Sequence, residues 1–210
     1  MKRYIDILLK AILTGFAIGI GGIVNLSCDN RYMGAFLFGL GLFVILTFGL
    51  MLFTGKVGYA VENKPKYLID LTVIWVGNFI GTYLTGLMMT FTRAGAAIAE
   101  KAAGLCQTKL ADSIPSLLIL SFFCGMLMFI AADGYKTFTN PVAQMLVVFL
   151  PVMVFILSGF EHCIANMFYF SVAGMIDFTS VLYILLMSLG NALGGIFIPL
   201  LRKGFVKEKK

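Results

Sequence analysis

The chain has 210 residues, 60% of them hydrophobic and only 12% charged, a composition far more apolar than that of a soluble domain. Its 16 basic and 10 acidic side chains give a net charge of +6, but they gather at the ends of apolar runs and form no basic face, which argues against a nucleic-acid-binding protein. These features predict an all-α integral membrane protein, a single transmembrane domain over residues 1–210 with little left for a soluble part.

Six membrane-spanning stretches are predicted, at residues 5–26, 34–60, 67–92, 114–134, 141–172 and 178–201, each apolar and bounded by charged or turn residues. The first follows Met-Lys-Arg, but it is too long for a signal peptide and lacks a small-residue cleavage site, so it reads as a retained helix. Its Gly15, Gly19 and Gly22 favour close helix packing. The second stretch contains LFTGKVG at 52–58, where Lys56 and two glycines interrupt the helix and Thr54 can offer a hydroxyl to a solute or to freed backbone. The third carries Trp75 and GNFIG at 77–81, and the fourth is preceded by Lys109. The fifth contains SGFEHCIAN at 158–166, a second interruption, and the sixth carries GNALGG at 190–195 before a basic tail, RKGFVKEKK. Both GN motifs read as close-packing sites. Cys28, Cys106, Cys124 and Cys163 have no metal-binding or redox spacing and read as buried thiols.

Most lysines and arginines, among them Lys2, Arg3, Lys10, Lys56, Lys64, Lys66, Lys136, Arg202, Lys203, Lys207, Lys209 and Lys210, fall on one side if the N-terminus is cytoplasmic. Arg31, Arg93, Lys101 and Lys109 fall on the other, an imbalance that places both termini inside. The halves, about 1–92 and 110–205, echo one another, with interruptions in the second and fifth spans and GN motifs in the third and sixth. Three spans per half make the second half run in the opposite sense, the inverted-repeat plan in which broken helices meet near the midplane.

Ionisable groups at membrane depth are rare and usually functional. His162, the only histidine, lies in the second interruption beside Glu161, which can cap a half-helix or pair with a neighbour. With no second histidine a zinc site is not expected, and Cys163 or Ser158 next to His162 makes no nucleophile–base pair, so no enzyme is expected. Phe38, Leu42, Phe53 and Phe155 near the interruptions are, taken singly, packing residues.

LFTG at 52–55, Trp75 with GNFIG, SGFEHCIANMF at 158–168 and GNALGG together resemble the formate/nitrite transporter family over nearly the whole chain. The resemblance implies an aquaporin-like fold of six helices in inverted halves and a homopentamer with one pore per protomer. It implies passage of small monovalent weak-acid anions such as formate, nitrite or hydrosulfide, in a multi-pass protein of the inner (plasma) membrane, with no cofactor. Its partners would be such anions and protons, the lipid bilayer and further copies of the chain. By motif position His162 is the central histidine and proton donor, Thr54, Lys56 and Lys109 are polar pore groups, and Glu161 with Asn166 supports the loop. Phe38, Leu42, Leu52, Phe53 and Phe155 would form apolar constrictions on either side of the histidine.

Three residues depart from the family pattern: Met51 stands where an acidic residue is usual, Lys56 where asparagine is common, and Gly125 where an asparagine lines the pore. Loss of that amide at Gly125 is expected to open volume near the histidine. The expected mechanism has an anion meet His162, take a proton from it or from a linked water, and cross the apolar region as the neutral acid. The alternatives are a neutral-solute pore of aquaporin type, against which the absence of an Asn-Pro-Ala pair counts, and a proton-coupled symporter.

Overall fold

A computed structural model describes residues 2–206, so Lys207, Lys209 and Lys210 of the predicted basic anchor lie outside the described residues. The apolar runs fold as helices because a helix pairs its own backbone, the condition for crossing lipid. In chain order they are α1 (Lys2–Ser27), α2 (Arg31–Thr47), α3 (Phe53–Lys56) continued by a 3-10 turn (Val57–Val61), α4 (Tyr67–Thr90), α5 (Gly95–Leu110), α6 (Ile114–Thr137), α7 (Pro141–Leu157), α8 (Cys163–Val172) and α9 (Phe178–Val206). No strand occurs among the described residues.

Among the described residues α1, α4, α6 and α9 are long and apolar enough to cross a membrane, and α2, α7 and α8 are shorter apolar helices. The helix pair α1 and α4 is matched by α6 and α9, and the pair α1 and α2 by α6 and α7. Asn30 caps α2, its side chain accepting from the Tyr32 and Met33 N–H groups at 2.9 and 3.0 Å. Asn140 does the same for α7, with Pro141 at the first helical position, where its missing N–H costs nothing. Asp177 and Ser180 cap each other's backbone before α9, and the Ser180 N–H holds the Asp177 carboxyl below its ordinary range.

The two interruptions share one cause. Gly49 and Gly159 adopt left-handed φ values of 63° and 69°, which a side chain would disfavour. Each is followed by a residue whose N–H reaches back around the helix end, Leu50 to the Ile45 carbonyl at 2.8 Å and Phe160 to the Phe155 carbonyl at 2.9 Å. The first interruption therefore lies at residues 48–52, upstream of the 52–58 segment that the sequence points to. Thr54, Gly55 and Lys56 are inside α3. Residues 95–110 carry no apolar run, yet they form α5, because Gly95, Ile98, Ala102 and Cys106 recur at helical spacing on its buried face.

Candidate functional site

Each interruption leaves peptide groups in apolar surroundings, and one buried asparagine serves each of them. Asn78 Oδ1 accepts from the Phe53 N–H at 2.9 Å, while its Nδ2 donates to the Met51 and Ala11 carbonyls at 2.8 and 2.9 Å. Asn191 Oδ1 accepts from the Cys163 N–H at 2.9 Å, and its Nδ2 donates to the Glu161 and Ser121 carbonyls at 2.8 and 2.7 Å. The residues served are 110 positions apart in each case, 53 and 163, 51 and 161, 11 and 121, so both halves make the same clamp. The GN motifs thus do more than pack: their asparagines hold the starts of α3 and α8. The signal for this role is an amide at membrane depth, which needs partners.

These clamps bring Thr54 and His162 together, with Thr54 Oγ1 2.9 Å from His162 Nε2 and both residues buried. His162 is also the cap of α8, its Nδ1 accepting from the Ala165 N–H at 3.1 Å. With Nδ1 an acceptor, a neutral ring carries its proton on Nε2 and donates it to the Thr54 oxygen. Phe155 stacks on the imidazole at a centroid distance of 5.5 Å, and Phe38 meets Phe155 edge-on at 5.7 Å. Leu42 and Leu52 are buried in the same core.

A cavity lies on each side of this pair. One, of about 450 Å³, is lined by Ile45 at the end of α2, Leu52, Gly55, Lys56, Tyr59 and Lys136. The other, of about 330 Å³, is lined by Arg31 at the start of α2, Lys109, Phe155, His162, Asn166 and Tyr169. Because α2 runs from one to the other, they are on opposite sides of the protein. The first shares its side with the start of α1, whose Arg3 pairs with Asp70, and with the end of α9, where Arg202 pairs with Asp133 at 2.5 Å. We refer to it as the inner cavity and to the second as the outer.

Glu161 and Asn166 belong to the outer half. The Lys109 ammonium, at the last turn of α5, donates to both Glu161 carboxylate oxygens at 2.9 and 2.7 Å, and Asn166 Nδ2 donates to Glu161 Oε2 at 2.7 Å. Lys109, expected as a polar pore group, lines the outer cavity with its charge compensated. Glu161 pairs and does not cap, since His162 is the cap. On the same rim Arg31 Nη2 donates to the Leu157 carbonyl at 2.8 Å, closing the end of α7.

Phe53, expected among the constriction residues, is half-buried and lines an apolar cleft with Trp75, Leu185 and Leu189. Gly125 leaves no open volume either. A Cβ added there would collide with the Asn191 carbonyl oxygen, just as one at Gly15 would meet the Asn78 carbonyl oxygen at 2.6 Å. Both glycines are crossing points that let the asparagine-bearing helices approach. Gly125→Asn, which restores the family's usual amide, is accordingly expected to destabilise by roughly 1–3 kcal/mol or more through overpacking, read as a lowered melting temperature in detergent. A variant as stable as the native protein would show that α6 and α9 can separate there.

Among known proteins, the sequence profile described as Formate/nitrite transporter matches residues 1–203. An uncharacterized transporter, YrhG, of Bacillus subtilis (strain 168) is 28% identical over 150 residues, 66% of this chain and 56% of that protein. The formate channel FocA of Haemophilus influenzae is 26% identical over 154 residues, 66% of this chain and 52% of that protein. The chain thus spans little more than half the length of these two relatives. A solved structure, a pentameric formate channel with formate bound, superposes with a TM-score of 0.83 at 24% identity, covering 99% of each chain, and so shares the fold.

Proposed function

Because the chain belongs to the formate/nitrite transporter family, we propose that it is a membrane channel for small monovalent weak-acid anions, formate or nitrite in the first instance and hydrosulfide by chemical likeness. It moves solutes and is not an enzyme. The observation that carries this reading is the buried Thr54–His162 pair, set in an apolar wall between two cavities on opposite sides of the chain.

We infer six crossings in two inverted halves forming one domain, aquaporin-like, and supported by the paired asparagine clamps. The protein sits in the inner membrane with both termini cytoplasmic, in keeping with the basic residues around the inner cavity. A homopentamer is supported by the apolar cleft that holds Phe53 and Trp75, a natural seat for a neighbouring protomer.

In this reading a bare anion does not cross the wall formed by Phe38, Leu42, Leu52 and Phe155, since desolvating a charge costs several kcal/mol even after relaxation. Low dielectric raises the pKa of the weak acid, and the anion takes a proton from a hydronium ion of the vestibule, which is left as water, and crosses as the neutral acid. His162 supplies a hydrogen bond from Nε2–H, with Thr54 beside it. A ring whose Nδ1 caps α8 holds a single proton, and giving that proton away outright would leave an imidazolate. The geometry therefore favours the ring as hydrogen-bond donor over the ring as stoichiometric acid.

The test is uptake of formate and nitrite by proteoliposomes carrying native protein, His162→Asn or His162→Phe. Asparagine retains an acceptor for the Ala165 N–H but not the imidazole donor, so His162→Asn is expected to fold and to lose about tenfold in rate, one hydrogen bond's worth. His162→Phe loses the cap as well and is expected to melt earlier, by about 1 kcal/mol of stability. Unchanged rates and pH dependence in both variants would take the ring out of the mechanism, and a native protein impermeable to every such anion would overturn the reading.

A further inference from the structure

The clamp register sets Met51 opposite Glu161 and Lys56 opposite Asn166, each 110 positions apart. In the outer half this pair of positions carries a carboxylate and an amide, and the carboxylate compensates Lys109. In the inner half the acid is replaced by a thioether packed against a small cluster of Ile7, Ala11 and Ile74, and the amide by an ammonium. The inner half has lost a negative charge and gained a positive one.

Lys56 is half-buried, and no carboxylate forms an ion pair with it among the described residues. It is fixed from behind by the Tyr67 hydroxyl, which donates to its carbonyl at 3.1 Å. Lys136 lines the same cavity with its ammonium 5.2 Å from the centroid of the Tyr59 ring, and the two lysines outnumber the exposed Glu62 there. An ammonium taken partly out of water without a counter-charge is costly, and the cavity in front of it has room for a small ion with part of its hydration shell. The outer cavity has no such surplus, since its two cations, Arg31 and Lys109, are matched by Asp29 in its lining and by Glu161, which holds the lysine.

We propose that the inner cavity is an anion-binding site centred on Lys56, with Lys136 as its second cation, that takes small oxyanions and carboxylates. A monovalent weak acid binds and passes on towards Thr54. A divalent oxyanion binds and stops, because two charges cannot both be neutralised by protonation at ordinary pH. The pore is therefore blocked by divalent oxyanions from the side of the termini only. This rests on the channel reading for the block, but not for the binding.

The test uses sulfate as the probe. Formate flux is followed in right-side-out and inside-out membrane vesicles, with the side of the termini located by an epitope appended to the C-terminus, and each variant is normalised to its own sulfate-free rate. Sulfate is expected to slow flux only from the side of the termini, and Lys56→Gln to raise the half-blocking concentration about tenfold, the loss of one charge-assisted contact. Block from both sides alike, or block indifferent to Lys56→Gln, overturns the proposal. Equilibrium binding of radiolabelled sulfate to the detergent-solubilised protein is measured in parallel. Binding that needs Lys56 in a protein passing no anion upholds the site and sinks the channel reading, whereas binding that is absent or unchanged in Lys56→Gln sinks the site.

Discussion

Replacing Asn191 with leucine is expected to abolish the native fold, or to lower its stability by about 2–6 kcal/mol, the cost of leaving two buried peptide groups without a partner at roughly 1–3 kcal/mol each. The groups are the Cys163 N–H and the Glu161 carbonyl; the Ser121 carbonyl loses a second bond but keeps its helical one within α6. Leucine has the same branched set of four side-chain heavy atoms, but its methyl groups are bulkier, so overpacking adds to the loss of hydrogen bonding. Asn78→Leu strands the Phe53 N–H and the Met51 carbonyl and is expected to behave alike. Size-exclusion profiles of the detergent-solubilised variants and their melting temperatures decide the matter. A folded Asn191→Leu protein melting within a few degrees of native would mean that water reaches the interruption and pairs those groups.

The second large effect concerns Lys109 and Glu161, whose side chains are only 13% and 7% exposed. Removing one partner of a buried pair leaves an uncompensated charge, so Lys109→Met is expected to cost about 3–5 kcal/mol. Removing both charges, in Lys109→Met with Glu161→Gln, is expected to recover most of that stability, since the glutamine still accepts from Asn166. Heat denaturation followed by intrinsic fluorescence measures all three proteins. If the double variant is no more stable than Lys109→Met, the carboxylate is not stranded in the single variant and the pair is effectively solvated.

Much of this architecture can be read from the residues, and the gaps have physical reasons. The apolar runs reveal a membrane protein, and SGFEHCIAN marks the second interruption because Glu161 and His162 do not belong in lipid. The first interruption is harder to place. Lys56 looks like its cause, but the residue that turns the chain is Gly49, in an FGL that resembles any packed helix. Asn78 and Asn191 lie in motifs equally suited to close packing, and only their bonds to the interruptions reveal the clamp. Thr54 with His162 and Lys109 with Glu161 are 108 and 52 residues apart, pairings that no local pattern encodes. Gly125 shows the opposite hazard, since a missing side chain reads as empty space until the fold fills it with the Asn191 backbone.

The two half-helices are unequal in length, four residues in α3 against ten in α8, and every residue of α8 is buried. A four-residue turn that passes into a 3-10 turn has little cooperative backing, whereas a ten-residue segment sunk in the core opens only with its surroundings. Thr54 thus rides on the compliant jaw and His162 on the anvil. Thermal breathing of their contact begins from the side of the termini, and amide exchange should be faster at residues 53–56 than at 163–172.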